Sequence, residues 1–175
     1  MTDFIPDRTA ARRKWRREFI DQFLAEINIT HDMLSPSTQT SLNEWARQVQ
    51  LVTDQPSANW DQAVLQLSKA VESELACKLG QVKGLECLAS EKPLGDKAKD
   101  LEDIQKRALT RRLSLLKFTV PPELPGLLFN LAKLRNPAAH GGVAVRTATR
   151  TEGQRARNIT AKILKRIIQA DKGKP

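Results

Sequence analysis

The chain has 175 residues, enough for one hydrophobic core and too few for two comfortable domains. Hydrophobic residues make up 40% and charged residues 28%, a balance that excludes wholesale disorder. Lys and Arg number 29 against 20 acidic residues, and the resulting formal charge of +9 attracts polyanions, nucleic acid first among them.

Ala, Leu, Lys, Arg, Gln and Glu dominate the long segments, Tyr is absent and Gly numbers only 8, so local propensity favours helix over strand throughout. Cys77 and Cys87 lack CxxC spacing and are accompanied by only two histidines, which supports neither a disulfide framework nor a zinc site. No apolar run approaches the roughly 18 residues needed to span a bilayer, and the N-terminus carries no hydrophobic signal segment. A cytoplasmic protein without membrane contact, cofactor or metal is expected.

Taken in chain order, residues 9–28 read as a helix with Trp15, Phe19, Ile20, Phe23, Leu24 and Ile27 on one stripe and Arg12, Arg13, Lys14, Arg16 and Arg17 around it. Trp15 among these arginines could stack a base, although at this spacing a tryptophan more commonly joins the core. A second helix starts after Ser35-Pro36 and runs to about Thr53, carried by Leu42, Trp45, Ala46 and Val49. His31, between Thr30 and Asp32, reads as a solvated loop residue.

The strongest periodic signal spans Ala58 to Leu79, where Trp60, Ala63, Val64, Leu67, Ala70, Val71 and Leu75 recur at helical spacing. Gly80 marks its end. The stretch from Gly80 to Gly95 reads as a connection with one short turn around Leu85 to Leu88, and a helix follows from Lys97 to Lys117.

Pro121-Pro122 cannot continue that helix, because each proline lacks an amide donor and restricts the residue before it. Another helix runs from about Pro122 to Arg135, with Pro125 and Gly126 able to shift its start. Thr149 or Thr151, each three residues before a Glu or Gln, caps the last one. In it Ala156, Ile159, Thr160, Ile163, Ile167 and Ala170 face inward, and Arg155, Arg157, Lys162, Lys165 and Arg166 face solvent. The expected fold is an all-α antiparallel bundle of about five to six helices.

A rotation of about 100° per residue puts Leu124, Leu128, Leu131 and Arg135 in one column, so Arg135 shares the face that packs inward and needs an anionic partner. Pro137 breaks the helix at Asn136, and the turn carries His140 back towards Arg135, with Gly141 and Gly142 just beyond. From the residues alone two readings stand. Either Arg135 pairs with a carboxylate such as Glu74 and His140 caps a helix, or guanidinium, amide and imidazole converge on a phosphate.

The segment Leu-Arg-Asn-Pro-Ala-Ala-His-Gly, residues 134–141, resembles the motif of the HEPN superfamily, in which arginine, a polar residue, three further residues and histidine lie between the last two helices of a bundle. The likeness covers roughly residues 57–170 and takes in the Ala-Val-Glu-Ser-Glu-Leu stretch of residues 70–75. It implies an HEPN-like bundle domain over 57–172, with residues 1–56 as a helical extension packed on that core.

The resemblance further implies a homodimer in which paired motifs form one cleft. His140 would act on the RNA 2′-hydroxyl or the leaving oxygen, Arg135 would stabilise charge on the scissile phosphate, and Asn136 would orient the histidine. The implied activity is metal-independent RNA cleavage by a toxin or defence effector, restrained by an antitoxin or an ATPase partner. A noncatalytic module binding RNA or nucleotide, or a helical adaptor, is the alternative. Toxins of this family silenced by adenylylation carry a tyrosine two residues after the histidine; here Gly142 stands there.

Three further residues belong to the expected surroundings of this site. Glu74 and Lys78 lie four apart on the apolar side of their helix, in the orientation that favours an ion pair. Arg112 rotates onto the inner arc of its helix, within reach of a phosphate or with its stem laid along apolar surface.

Overall fold

The computed structural model describes residues 8–53, 55, 59–111, 120–135 and 147–172. Among these, six α-helices form an all-α bundle without a strand: α1 Arg8–Glu26, α2 Pro36–Thr53, α3 Asp61–Glu74, α4 Leu94–Arg111, α5 Leu124–Arg135 and α6 Arg150–Lys172. Single 3-10 turns sit at His31–Met33 and Glu86–Ala89, and a π-helical turn, Leu75–Leu79, extends α3.

The packing follows from the apolar stripes. α2 lies along α3, α4 along α5, and α6 packs against both α3 and α5, while α1 closes over α2. One contiguous core runs from Ile20 and Phe23 in α1 through Leu42 and Trp45 in α2, Leu67 and Leu75, Leu101, Leu128 and Leu131 to Ile163 and Ile167 in α6. The first two helices therefore share a single apolar interior with the other four.

Three junctions fix where the helices begin. Ser35 caps α2, its Oγ accepting the Thr38 amide at 3.3 Å, ahead of Pro36 in the first helical position. Thr149 closes a reciprocal capping box at the start of α6: its amide donates to Glu152 Oε2 at 2.9 Å, and its Oγ1 accepts the Glu152 amide at 3.3 Å. Asp61, in the first turn of α3, accepts the Ala148 amide at 2.7 Å, and the Trp60 amide donates to the Ala148 carbonyl at 3.1 Å, so the starts of α3 and α6 are tied together.

Two glycines are required by close approach. A Cβ on Gly153 would lie 2.3 Å from Cε3 of Trp60, and one on Gly80 would lie 2.7 Å from Cβ of Ala89 and 2.8 Å from the Ala76 carbonyl. Gly153 thus lets the Trp60 ring seat directly on α6. Gly80 lets the turn at Glu86–Ala89 fold back on the end of the π-helical segment.

The sequence reading differs from this fold in a few places. The helix read to begin at Lys97 starts at Leu94, because Asp96 and Lys97 donate their amides to Pro93 and form a turn ahead of the apolar arc. Arg157, assigned to solvent, turns inward: its guanidinium lies 5.2 Å from the centroid of Phe23 and grips Glu26 at 2.6 and 2.7 Å. The end of the helix read to Lys117 lies outside the described residues.

Candidate functional site

Leu124, Leu128 and Leu131 are fully buried, and Arg135 follows them in the same column at the C-terminal end of α5. A cation there complements the helix dipole. The turn before α5 is held at Pro121, whose carbonyl accepts the Leu124 amide at 3.0 Å and the Gln105 side-chain amide of α4 at 3.1 Å. This join sets the position of α5 and carries its last residue to α3.

There the Arg135 guanidinium donates from Nη1 to Glu72 Oε1 at 2.5 Å, and both side chains are about three-quarters covered. The carboxylate is Glu72 and not Glu74, for a reason of helix phase. Two residues along a helix are about 200° apart, so the two glutamates of α3 point to opposite sides. Glu72 looks towards α5, whereas Glu74 looks towards α2, where it is fully buried and accepts the Ser35 amide at 3.0 Å through Oε2. Among the described residues its other oxygen, Oε1, has no hydrogen-bond partner.

Lys97 of α4 completes the cluster and was not singled out by the sequence reading. It is 4% exposed, and its amine is held below the ordinary lysine range first by burial; Glu72 opposes that effect, as does Cys87, and Arg135 adds to it. Arg135 is ion-paired with Glu72, and Lys97 lies close enough to feel both charges without pairing being its main interaction. The signal for Lys97 was present in the spacing, since it falls between Leu94 and Leu101 beside Ala98 on the buried arc.

The remaining expected site residues are placed as follows. Asn136, His140 and Arg112 lie outside the described residues. Lys78 lies half-buried in the π-helical turn one helical turn past Glu74. His31, read as solvated, meets Asp21 at 2.8 Å from a 3-10 turn far along the chain from the motif.

Among the described residues no group of three or more His, Cys, Asp or Glu is arranged to hold a metal ion, and no helix is long and apolar enough to cross a membrane. Both cysteines carry free thiols; burial raises the pKa of the Cys87 thiol, while Cys77 is exposed. Comparison with protein-family models, curated proteins and solved structures finds no match to this chain.

Proposed function

We propose that this protein is a metal-independent endoribonuclease of the HEPN type, with Arg135, Asn136 and His140 as its working residues and two chains contributing to one cleft. The observation that carries this reading is the placement of Arg135: a guanidinium on the inward column of α5, at the last helical residue before Asn136-Pro137, with Lys97 beside it. A guanidinium at a helix end, able to donate two parallel hydrogen bonds, is suited to a phosphodiester.

In the proposed reaction His140 removes the proton from a ribose 2′-hydroxyl, whose oxygen attacks the adjacent phosphorus. The bond from phosphorus to the 5′-oxygen breaks, and that oxygen leaves with a proton given by the protonated imidazole of the second chain's copy of His140. The products are a 2′,3′-cyclic phosphate and a 5′-hydroxyl. Arg135 balances charge on the phosphoryl oxygens as it develops, and Asn136 sets the ring of His140. A deoxyribose strand has no nucleophile for this route and stays intact.

The test is incubation of purified protein with end-labelled single-stranded RNA in chelator, alongside Arg135→Ala and His140→Ala. Cyclic phosphate ends formed by the wild type and lost in both variants support the proposal. Equal cleavage by all three, or cleavage abolished by chelator, overturns it.

A second reading is favoured by one observation: the Arg135 charge is already met by Glu72 within the same chain. On that reading the protein is a noncatalytic module in which the pair stabilises the end of α5 and RNA or nucleotide is bound without being cut. RNA retained on the wild type and recovered at full length would select it.

A further inference from the structure

All three tryptophans of the chain, Trp15, Trp45 and Trp60, line one groove of about 350 Å³ bounded by α1, α2 and the start of α6. Trp15 stacks on Phe19 with ring centroids 4.9 Å apart and planes 12° apart, and Phe19 contacts Trp45 at 4.9 Å. The aromatic row is therefore continuous from the buried interior to the surface. Trp15 ends it 37% exposed, against the sequence expectation that a tryptophan at this spacing joins the core.

The polar surroundings are cationic. Arg150 and Gln154 stand on the α6 wall, and the negative charge of Glu26 in the groove is taken by Arg157. Five of the six residues from Arg12 to Arg17 are Lys or Arg, so Trp15 stands within the most basic stretch of the chain, although Arg13, Arg16 and Arg17 line the neighbouring face of α1 with Gln39 and Asn43 and not the groove itself. An exposed flat ring beside arginines suits a ligand that alternates π-faces with negative charges.

We propose that this groove binds single-stranded RNA, with an unpaired base stacked against Trp15 and the neighbouring phosphates held by Arg150 and the basic half of α1. Base-on-aromatic stacking needs no particular sequence, and arginine contacts to phosphate add salt-dependent affinity. The site stands on residues separate from the Arg135 cluster and holds whether or not the protein cleaves RNA.

The probe is a fluorescein-labelled 2′-O-methyl oligouridine, which lacks the free hydroxyl needed for cleavage and so reports binding alone. Anisotropy titrations of the full chain are expected to show affinity that falls with salt, and binding quenches the intrinsic tryptophan fluorescence. Trp15→Ala and Arg150→Glu each weaken binding by about tenfold or more. A duplex of the same strand, whose bases are stacked inward, binds more weakly than the single strand.

Helical content by circular dichroism accompanies each variant, and exposed Arg150 carries the test alone if Trp15→Ala loses its fold. Unchanged affinity in folded variants overturns the proposal. So does equal affinity for an oligoglutamate of matching charge, which would show capture by charge without stacking.

Discussion

Arg135 and Glu72, 63 residues apart in the chain, join the end of α5 to the flank of α3 through a single charged hydrogen bond. The pair has two separable consequences. As a structural tie between partly covered groups it contributes about 1–3 kcal/mol. Arg135→Ala is therefore expected to lower the melting temperature by several degrees while leaving the helical spectrum intact. Under the proposed function the same variant loses RNA cleavage by about a hundredfold or more, a loss too large for the tie to explain. Parallel melting curves and cleavage rates on one preparation check both.

Lys97 gives a pH signature. Its amine titrates below the usual 10.5 in the folded chain, mainly because it is buried. The unfolded chain then holds the proton more tightly, so the charged amine costs stability at neutral pH. That cost falls as pH rises through the folded pKa towards the unfolded value. Lys97→Met should be more stable than the wild type near pH 7, and the gap should narrow with increasing alkalinity. Urea melts across that range measure it; a gap that widens with pH contradicts the assigned burial.

Gly153→Ala sets two opposing effects against each other. Alanine in place of glycine inside a helix gains about 1 kcal/mol from propensity. The added carbon would sit 2.3 Å from the Trp60 ring, which is itself tied through its amide to Ala148. Overpacking of this kind costs about 1–3 kcal/mol, so the net change is destabilising. A melting point that rises would mean that the indole moves aside freely.

Among the described residues Glu74 presents one satisfied and one unpartnered oxygen in a fully buried setting. Glu74→Gln keeps an acceptor for the Ser35 amide and removes the capacity for charge, so stability is expected to hold or rise. Glu74→Ala removes the acceptor and opens a void, with a loss of about 2–4 kcal/mol. The order Gln above Ala in thermal melts is the check.

Much of this fold was legible because the apolar stripes were wide and the punctuation unambiguous. Leu42, Trp45 and Val49 in α2, and Ala63 to Leu75 in and just past α3, are buried as their spacing required. The Thr149 box worked from four residues of local chemistry. Side-chain partners were harder. Glu74 was named as a partner for Arg135, but the choice between Glu72 and Glu74 depends on which neighbour each side of α3 meets, a property of helix packing that no local spacing contains. Trp15 showed the same limit: its stripe position was readable, yet its exposure depends on how far α1 extends beyond the surface of α2. Of the motif itself, Arg135 lies among the described residues and Asn136 and His140 do not.

The wide turn at Leu75–Leu79 fits one more residue into a helical cycle than an α-turn would hold. It works as a phase joint. Shortening it by one residue would swing everything on one side of it by about 100° relative to the other. Glu72 and Glu74 both precede it and would keep their partners, but fully buried Leu79 would rotate out of the interior and Gly80 would swing away from Ala89. The angular offset built into this one turn keeps the oily side of the rod facing inward past the last residue of α3.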